Sequence, residues 1–496
     1  MRAWLLMWQP DTEEVLRILD EQNPWHRDGS VPPALAPDAE RFLVEPLHER
    51  LWTDHPRRFQ VILGHRRVGK TTVMYQLVQR LLTSGIPPHR LWWFRLDHPL
   101  LMEVPLDALI RTVLTATEAT AQHPLVLFLD EVVYARDWDL WLKTFYDERW
   151  PLKIVATASA TAALRDRRAE SGVGRWEEQH LTPYLLPEYL ALDGRQLDLP
   201  SVDDSLAKTI KALPRTIPTG KLAHRQRELM LVGGFPELLA GLPEEAQRDE
   251  RSAMLASQGT LRSDAVERAI YKDIPQSFDI ESPLMLERVL YVLAGQMTGI
   301  LSPTNVSRDL GLSQPTLDRY ITYLQRAFLI FQLSNYSGRE ARRQRRGRKV
   351  YFVDGAVRNA ALQRGAAPLD DETELGYLRE NMAGAHLYAL SQQSGVRLFH
   401  WRHSNNEVDF VYDDADSPLA FEISSTQSHS RAGLRALVAE HPRFEGGCYL
   451  VAPGAPVIPA PSGSDGIGSL PYTVFLAAVG MQAEHELRSR LADGGL

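Results

Sequence analysis

The chain has 496 residues, of which 44% are hydrophobic and 24% are charged. This composition is typical of globular proteins, and the length exceeds what one hydrophobic core can use. A net charge of −8 excludes a molecule that is basic overall, so any nucleic-acid surface must be a local patch.

The cysteine content and the apolar runs bear on the cellular compartment. Cys448 is the only cysteine, which excludes internal disulfides and thiolate zinc clusters and favours a cytoplasmic location. The apolar run in residues 1–8 is too short for a signal peptide, and no later stretch is long enough to cross a bilayer. No membrane partner is therefore expected.

Residues 1–55 are predicted to form an N-terminal arm. The apolar spacing in Asp11–Glu21 predicts an amphipathic helix. A proline-rich stretch up to Pro37 prevents regular structure, and a second helical pattern covers Phe42–Trp52. Such an arm braces a ligand pocket or a neighbouring subunit, and the sequence does not choose between the two.

Residues 56–192 alternate apolar strand patterns with helical patterns, which predicts an α/β core with a parallel sheet. The predicted strands are Phe59–Leu63, Leu91–Leu96, Leu125–Leu129, Lys153–Thr157 and Glu178–Thr182.

The first strand leads into a glycine-containing loop that opens onto a helical pattern. The two glycines allow backbone N–H groups to converge on phosphate oxygens, and the helix aims its positive end at the same point. Lys70 adds a compact charge for the β- and γ-phosphates of ATP, and the Thr71 hydroxyl is suited to ligate Mg²⁺. The loop comprises Gly64, His65, Arg66, Arg67, Val68, Gly69, Lys70, Thr71 and Thr72. Lysine is scarce in this chain, and a planar guanidinium cannot replace the compact ammonium in a phosphate-binding loop. A lysine at position 70 therefore strengthens the prediction of a phosphate-binding loop.

Two acids end the third predicted strand. Asp130 is predicted to hold the Mg²⁺ shell, directly or through water, and Glu131 to orient and polarise the attacking water. The alternative is a pair of ordinary solvated acids in a turn. The strand context and the separation from Lys70 favour the catalytic interpretation.

Three further residues are candidates with weaker support. Thr157 and Ser159 lie at the tip of the fourth predicted strand, where a small hydroxyl contacts the γ-phosphate or the lytic water, or else caps the next helix. Arg175 is a candidate arginine finger, acting in its own chain or on a neighbouring copy.

Residues 193–280 are predicted to be a linker followed by a helical segment. Asp193–Arg227 is polar and contains several Pro and Gly residues, so we expect a linker or mobile insertion there. The segment Gly233-Gly234-Phe235-Pro236-Glu237 interrupts the helical patterns and is predicted to form a corner between two helices.

Residues 281–355 follow the pattern of a winged helix. Ser282-Pro283 and Ser302-Pro303 begin helices, and Thr304–Leu310 and Gln314–Phe328 flank a tight turn. The polar face of the second helix carries Gln314, Thr316 and Arg319, which suit groove edges and phosphates of DNA.

A basic connector follows between two predicted wing strands, Phe328–Leu333 and Lys349–Val353. Residues 339–349 hold a cluster of basic side chains in an otherwise acidic chain, and the predicted phosphate contacts are Arg342, Arg343, Arg345 and Arg346. A solvated loop, or a module that binds protein, is the alternative.

Residues 356–496 are predicted to form a last α/β domain. A helix over Glu374–Leu390 carries Glu380, and the strands that follow carry Asp409 and Glu422. These three acids are suited to chelate Mg²⁺ if the strand ends meet. Three solvated acids on separate elements are the alternative.

The motifs together resemble prokaryotic AAA-type P-loop ATPases. The resemblance rests on Leu63–Thr72, Phe128–Glu131, Ala156–Ser159 and Gly233–Glu237. It implies a nucleotide-binding core, a small lid that includes the Gly-Gly-Phe-Pro-Glu segment, a winged helix and a C-terminal domain similar to the PD-(D/E)XK nuclease fold. In those nucleases a lysine follows the last acid by two positions. Here that position is Ser424, and no lysine occurs after Lys349, so we expect a degenerate site without efficient cleavage.

Three functions are consistent with these features. The first is an ATP-hydrolysing protein whose nucleotide state controls DNA binding by the winged helix. The second is a slow nucleotide-dependent switch or scaffold that recruits a protein partner, and the third is an ATP-gated metal nuclease. ATP and Mg²⁺ are expected in each, DNA is the expected partner in the first, and assembly into homo-oligomers is left open.

Overall fold

The computed structural model describes residues 12–53, 57–159, 174–192, 194–195, 199–200, 202, 204–218, 220–241, 249–278, 280–337, 347–460 and 465–492. The chain divides into two compact units. The first draws on residues 1–64, 69–181 and 491–496, and the second on residues 65–68 and 182–490.

A five-stranded parallel sheet forms the centre of the first unit. Its strands are β1 (Phe59–Leu63), β2 (Leu91–Arg95), β3 (Leu125–Asp130), β4 (Leu152–Ala158) and β5 (Trp176–His180). Their order in the sheet is β2-β3-β4-β1-β5. Every residue of β1 and β3 is buried, as expected for strands covered by helices on both faces.

Six helices are found in the part of the first unit that the structure describes. They are α1 (Thr12–Gln22), α2 (Trp25–Asp28), α3 (Val44–Leu51), α4 (Lys70–Thr83), α5 (Leu106–Thr117) and α6 (Trp138–Asp147). The strands and helices agree with the predicted alternation, with bounds that differ by one or two residues.

The N-terminal arm pairs with the edge strand β2. The Asn23 side chain donates to Trp93 O at 2.9 Å and accepts from Trp93 N at 2.6 Å. Trp25 Nε1 donates to Leu91 O at 3.0 Å. An edge strand exposes unpaired backbone groups, so these contacts give the arm a structural role within its own unit.

The helices of the second unit are numbered onward from the first. They are α7 (Leu186–Ala191), α8 (Leu206–Lys211), α9 (Gly220–Val232), α10 (Pro236–Gly241), α11 (Glu250–Leu261), α12 (Ile274–Ser277), α13 (Pro283–Gly295), α14 (Pro303–Leu310), α15 (Gln314–Arg326), α16 (Gly355–Leu362), α17 (Glu372–Ser394), α18 (Ala432–Glu440) and α19 (Tyr472–Ala492). Between α11 and α12 the helical backbone continues through π-helical turns over Arg262–Glu267 and Ala269–Asp273.

The expectation of a linker over Asp193–Arg227 is partly wrong. Leu206, Ala207 and Ile210 bury one side of α8, and α9 begins at Gly220. The spacing of these apolar residues supports one and a half helical turns despite the polar surroundings.

Two sheets complete the second unit. The strands are β6 (Ile300–Leu301), β7 (Ile330–Ser334), β8 (Arg348–Phe352), β9 (Leu398–His403), β10 (Asn406–Tyr412), β11 (Leu419–Ile423), β12 (Cys448–Ala452) and β13 (Gly468–Pro471). An antiparallel sheet has the order β6-β8-β7, and a mixed sheet has the order β13-β12-β11-β10-β9. In the second sheet, β11 is antiparallel to β10 and parallel to β12.

Among the helices within the described ranges, none has the length and apolar character required to cross a membrane.

Candidate functional site

The loop after β1 brings Lys70 back toward the strand end. Gly69 has a φ of 95°, in the left-handed region that glycine adopts without strain, and α4 begins at the next residue. Lys70 Nζ donates to Gly64 O at 3.0 Å and to Ser159 Oγ at 2.9 Å. The ammonium is therefore held at the carboxyl end of the parallel sheet, where α/β proteins bind their ligands.

A chain of hydrogen bonds connects the loop to the neighbouring strands through Asp130. Thr71 Oγ1 donates to Asp130 Oδ2 at 3.0 Å, and Thr157 Oγ1 donates to Asp130 Oδ1 at 2.6 Å. The register places Leu129 of β3 beside Ala156 of β4, so the next residue of each strand lies at the same sheet edge. The structure thus brings together the three predicted residues Thr71, Asp130 and Thr157.

Glu131 has an unusual backbone conformation and lies next to the hydrogen bonds that Asp130 makes. Its φ is 53°, a left-handed value that costs free energy for a non-glycine residue and that clusters at functional sites. Its N–H donates to Thr157 Oγ1 at 2.8 Å, and its carboxylate accepts from the Ser159 hydroxyl. Thr157 therefore bridges the two acids, and Ser159 bridges Glu131 to Lys70.

Burial sets the electrostatics of Asp130. The side chain is 6% exposed, and this desolvation, together with the charge of Glu131, raises its pKa to about 6. Hydrogen bonds from Thr157 and Thr71 and the charge of Lys70 act in the opposite direction. The Thr71 hydroxyl and the Asp130 carboxylate supply adjacent hard oxygen ligands, which are the donors that Mg²⁺ prefers.

Residues 65–68 of the loop pack within the second unit. Arg66 Nη1 lies 3.3 Å from Asp273 Oδ2, and Arg67 Nη1 lies 2.9 Å from Glu237 Oε2. The ring of the buried His65 contacts Phe235 edge-on at 5.2 Å. The side chains of both arginines are thus paired with carboxylates, and Val68 N donates to His65 O at 3.3 Å. The phosphate role of Arg66, Arg67 and Val68 stays a prediction.

The structure does not bring Arg175 to this site. Phe59 N donates to Arg175 O at 3.0 Å, which puts Arg175 at the amino end of β1 and β5, opposite the glycine loop. Its guanidinium pairs with Asp147 Oδ1 at 2.8 Å. A role as an arginine finger within its own chain is therefore wrong, and a role toward a neighbouring copy stays a prediction.

The predicted acid cluster forms, but it contains a lysine that the sequence interpretation placed elsewhere. Lys349 Nζ lies 3.2 Å from Glu380 Oε1, 3.1 Å from Asp409 Oδ1 and 2.6 Å from Glu407 Oε1. The expectation that this site lacks a lysine is wrong, because Lys349 belongs to β8 and reaches α17 and β10 from outside residues 356–496. Lys349 is also not a solvent-exposed member of the basic cluster in residues 339–349, since its side chain is 3% exposed.

Glu407 is a member of the cluster that the sequence interpretation missed. One signal was present, because Lys349 directly precedes the apolar run Val350–Phe352, and a charged residue within a buried strand is buried only when it is paired. The third predicted acid, Glu422, accepts from His429 Nε2 at 3.2 Å and does not contact Lys349 directly.

The structure describes three of the seven residues that are predicted to contact DNA. Gln314 and Arg319 are exposed on α15, and the Thr316 hydroxyl lies 2.8 Å from Ser313 Oγ at the helix start. Gln314 Nε2 donates to Thr304 Oγ1 at 2.9 Å. Arg342, Arg343, Arg345 and Arg346 lie outside the described residues.

Three family models match separate parts of the chain. Residues 56–190 match an AAA domain, residues 223–367 match a domain of unknown function (DUF8612), and residues 375–468 match another domain of unknown function (DUF4143).

Relatives and solved structures add the following similarities. An uncharacterized protein of Methanocaldococcus jannaschii, MJ1637, is 24% identical over 75% of this chain and 77% of its own length. An uncharacterized protein of Haemophilus influenzae is 21% identical over 73% of this chain and 82% of its own length. The crystal structure of Cdc6p from Pyrobaculum aerophilum aligns with 14% identity over 67% of this chain and 98% of that one, with a TM-score of 0.25. A TM-score this low does not indicate a shared fold over the aligned length.

The match to the AAA domain covers residues 56–190, which include the glycine loop, Lys70, Asp130 and the five-stranded parallel sheet. The chain therefore contains a P-loop domain of the AAA type in residues 56–190.

Proposed function

We propose that this protein binds and hydrolyses ATP and that its nucleotide state controls DNA binding through residues 281–355. The observation that supports hydrolysis best is the hydrogen-bonded path from Thr71 through Asp130 and Thr157 to Glu131. It links a residue beside the phosphates to the predicted base, and each hydrogen bond along it fixes a side chain that would otherwise rotate.

The residues of the site have distinct roles in this proposal. Lys70 moves from Gly64 O and Ser159 to the β- and γ-phosphates, because a phosphate oxygen is a stronger acceptor for an ammonium than a neutral oxygen. Glu131 accepts the proton of the attacking water, and Ser159 and the Thr157 hydroxyl hold it in position. Thr71 and Asp130 would hold Mg²⁺, which neutralises the charge that develops on the transferred phosphoryl group.

The DNA-binding part of the proposal is supported by the order of elements in the second unit. The elements follow one another in the order α13-β6-α14-α15-β7-β8, and the three strands form an antiparallel sheet. This is the order expected of a winged helix. The exposed side of α15 carries Arg319, and the chain between β7 and β8 carries five arginines and one acid. A concentration of positive charge on an acidic protein is suited to the phosphate backbone.

Phosphate release measured across a range of duplex DNA concentrations tests the proposal. We expect hydrolysis that requires Mg²⁺, responds to DNA and is absent from a Lys70→Ala variant. Tight ATP binding with negligible turnover at every DNA concentration would favour a switch that recruits a protein partner. Turnover that persists in the Lys70→Ala variant would contradict the assignment of the site.

A further inference from the structure

The acid cluster around Lys349 is enclosed by three elements of the second unit. Lys349 lies on β8, the central strand of the antiparallel sheet, and its backbone pairs with Ile300 of β6 and Leu333 of β7. Glu380 comes from α17, and Glu407 and Asp409 come from β10. The backbone of Lys349 is thus held within the small sheet, and its side chain reaches the carboxylates of the other two elements.

At least one oxygen atom of each of these acids already has a positively charged or hydrogen-bonding protein partner. Glu380 Oε1 accepts from Lys349 and, at 2.8 Å, from Tyr351 OH. Asp409 Oδ1 accepts from Lys349, and Asp409 Oδ2 accepts from Ile423 N at 3.0 Å. Glu407 Oε2 lies 3.8 Å from Arg402 Nη1. The ammonium and its neighbours therefore supply the positive charge and the hydrogen bonds that a metal ion and its waters would otherwise supply.

The donor set does not fit a divalent cation. Within the described part of the chain, no three His, Cys, Asp or Glu side chains are grouped so that they could hold a metal ion. Lys349 Nζ lies among Glu380, Glu407 and Asp409, where it would repel a second cation. The resemblance to nucleases implies a Mg²⁺ ion at Asp409 and Glu422. The ammonium of Lys349, 3.1 Å from Asp409 Oδ1, makes this place unfavourable for a divalent cation.

We propose that the ammonium of Lys349 is the permanent cation of this cluster, in place of a divalent metal, and that it ties β8 to α17 and β10. Breaking a buried ion pair by removing one partner is strongly destabilising, because the other partner is left charged and uncompensated. In this protein the uncompensated groups would be three carboxylates on two different elements.

Further contacts at the same place support a joint between the small sheet and the last domain. The Asn381 side chain accepts from Phe352 N at 2.8 Å and donates to Phe352 O at 3.0 Å. The Asn335 side chain makes the equivalent pair of contacts with the backbone of Arg402, both at 3.0 Å. The chain at the ends of β7 and β8 is therefore hydrogen-bonded directly to α17 and β9. This inference does not depend on ATP hydrolysis.

Thermal unfolding of the full chain, with and without millimolar Mn²⁺ and in the absence of nucleotide, tests the inference. The variants are Lys349→Met, which keeps the length of the side chain and removes its charge, and Lys208→Met as a matched control. Lys208 pairs with Asp204 on the surface and its side chain is 54% exposed. Asp130 is present in every variant, so any Mn²⁺ bound there contributes equally to all.

We expect Lys349→Met to lower the unfolding temperature by roughly 5–10 °C and Mn²⁺ to restore at least half of that loss. Wild type and Lys208→Met should have similar unfolding temperatures and no comparable response to Mn²⁺. An unchanged unfolding temperature in Lys349→Met, or no response of that variant to Mn²⁺, would overturn the inference.

Calorimetric Mn²⁺ titration of wild type and Asp409→Asn decides the question even if Lys349→Met does not fold. Equal binding by the two proteins supports an internal cation. Mn²⁺ binding by wild type that is abolished in Asp409→Asn would overturn the inference and would show a metal site of the nuclease type.

Discussion

Lys349 and Asp409 are 60 residues apart in the chain, and Lys349 Nζ lies 3.1 Å from Asp409 Oδ1. This contact joins residues on opposite sides of the boundary at residue 355 that the sequence suggests between a winged helix and a last domain. Burial and the surrounding carboxylates act in opposite directions on the lysine, and its pKa is raised well above the usual value. Lys349 is therefore charged at physiological pH.

The first prediction concerns the separate roles of Lys70 in ATP binding and of Glu131 in hydrolysis. Lys70→Ala should weaken ATP binding at least roughly tenfold, because it removes a charge-assisted hydrogen bond to the phosphates. Glu131→Gln should bind ATP with nearly wild-type affinity and hydrolyse it about 10²-fold to 10³-fold more slowly, because only the base is removed. Fluorescent-nucleotide binding and phosphate release measure the two effects separately. Glu103→Gln, at an exposed position of the turn Leu101–Glu103, is the control. Near-normal turnover in Glu131→Gln would refute the assigned role.

The second prediction concerns Thr157, which is fully buried between the two acids. Thr157→Val keeps the shape of the side chain and removes the hydroxyl that Asp130 and Glu131 N share. We expect the free energy of unfolding to fall by about 1–3 kcal/mol and turnover to fall about tenfold or more, as Glu131 loses its position. Thr157→Ser keeps the hydroxyl and should retain most of the turnover. Equal turnover in the two variants would show that the bridging hydrogen bond has no catalytic consequence.

The third prediction concerns Asp354, which links the Gly-Gly-Phe-Pro-Glu corner to α16. Its carboxylate accepts from Gly234 N at 2.7 Å and from Ala356 N at 2.8 Å. Asp354→Ala leaves both N–H groups without this acceptor and should cost roughly 2–4 kcal/mol in unfolding free energy.

Asp371→Ala is the matched control, because Asp371 is also an N-cap but is exposed and accepts hydrogen bonds at its own helix start. The loss there should be about 1 kcal/mol. Denaturant unfolding measures both variants, and equal losses would show that the hydrogen bond to Gly234 adds nothing beyond an ordinary helix cap.

The fourth prediction concerns pH and the buried His386. Its Nε2 accepts from Leu186 N at 3.0 Å, and burial lowers its pKa to about 4, compared with roughly 6.5 in an unfolded chain. Between these values the unfolded state binds a proton that the folded state does not. Stability should therefore fall as the pH drops from about 6.5 towards 4, by at most about 3 kcal/mol from this residue.

Thermal unfolding at pH 7.5 and pH 5 measures this contribution. The decrease should be smaller in His386→Gln, whose amide oxygen is able to accept from Leu186 N without titrating. His89→Gln, on the surface turn before β2, should behave like wild type. A His386→Gln variant with the same decrease as wild type would assign the acid sensitivity to other groups, such as His400, whose pKa burial also lowers to about 4.

The fifth prediction concerns DNA. Replacing Arg342, Arg343, Arg345 and Arg346 by Gln should weaken binding to all duplex sequences alike, because phosphate contacts carry no base preference. The slope of log affinity against log salt should become less steep by up to about 0.9 for each phosphate group that the variant no longer neutralises. Arg488→Gln, a 44% exposed position on α19, is the control. An unchanged affinity and salt slope would mean that the connector is ordinary solvated surface.

Elements whose signals are local could be predicted from the amino-acid sequence. The apolar strand patterns, the glycines around Lys70 and the acids that end β3 each depend on neighbouring residues, and they predicted the parallel sheet and its loop to within one or two residues. The family match to residues 56–190 agrees with that part of the prediction.

Contacts between residues of distant elements could not be predicted in this way and became apparent in the folded chain. Thr157 was predicted to contact the γ-phosphate or the lytic water, or to cap the next helix. The strand register makes it a bridge between Asp130 and Glu131. Arg175 was a candidate by residue type, and strand pairing places it at the opposite sheet edge. In the sequence, Lys349 resembled one more charge of a basic connector. In the structure it is buried and pairs with the carboxylates of Glu380 and Asp409. Such placements depend on burial and long-range pairing, which no local spacing encodes.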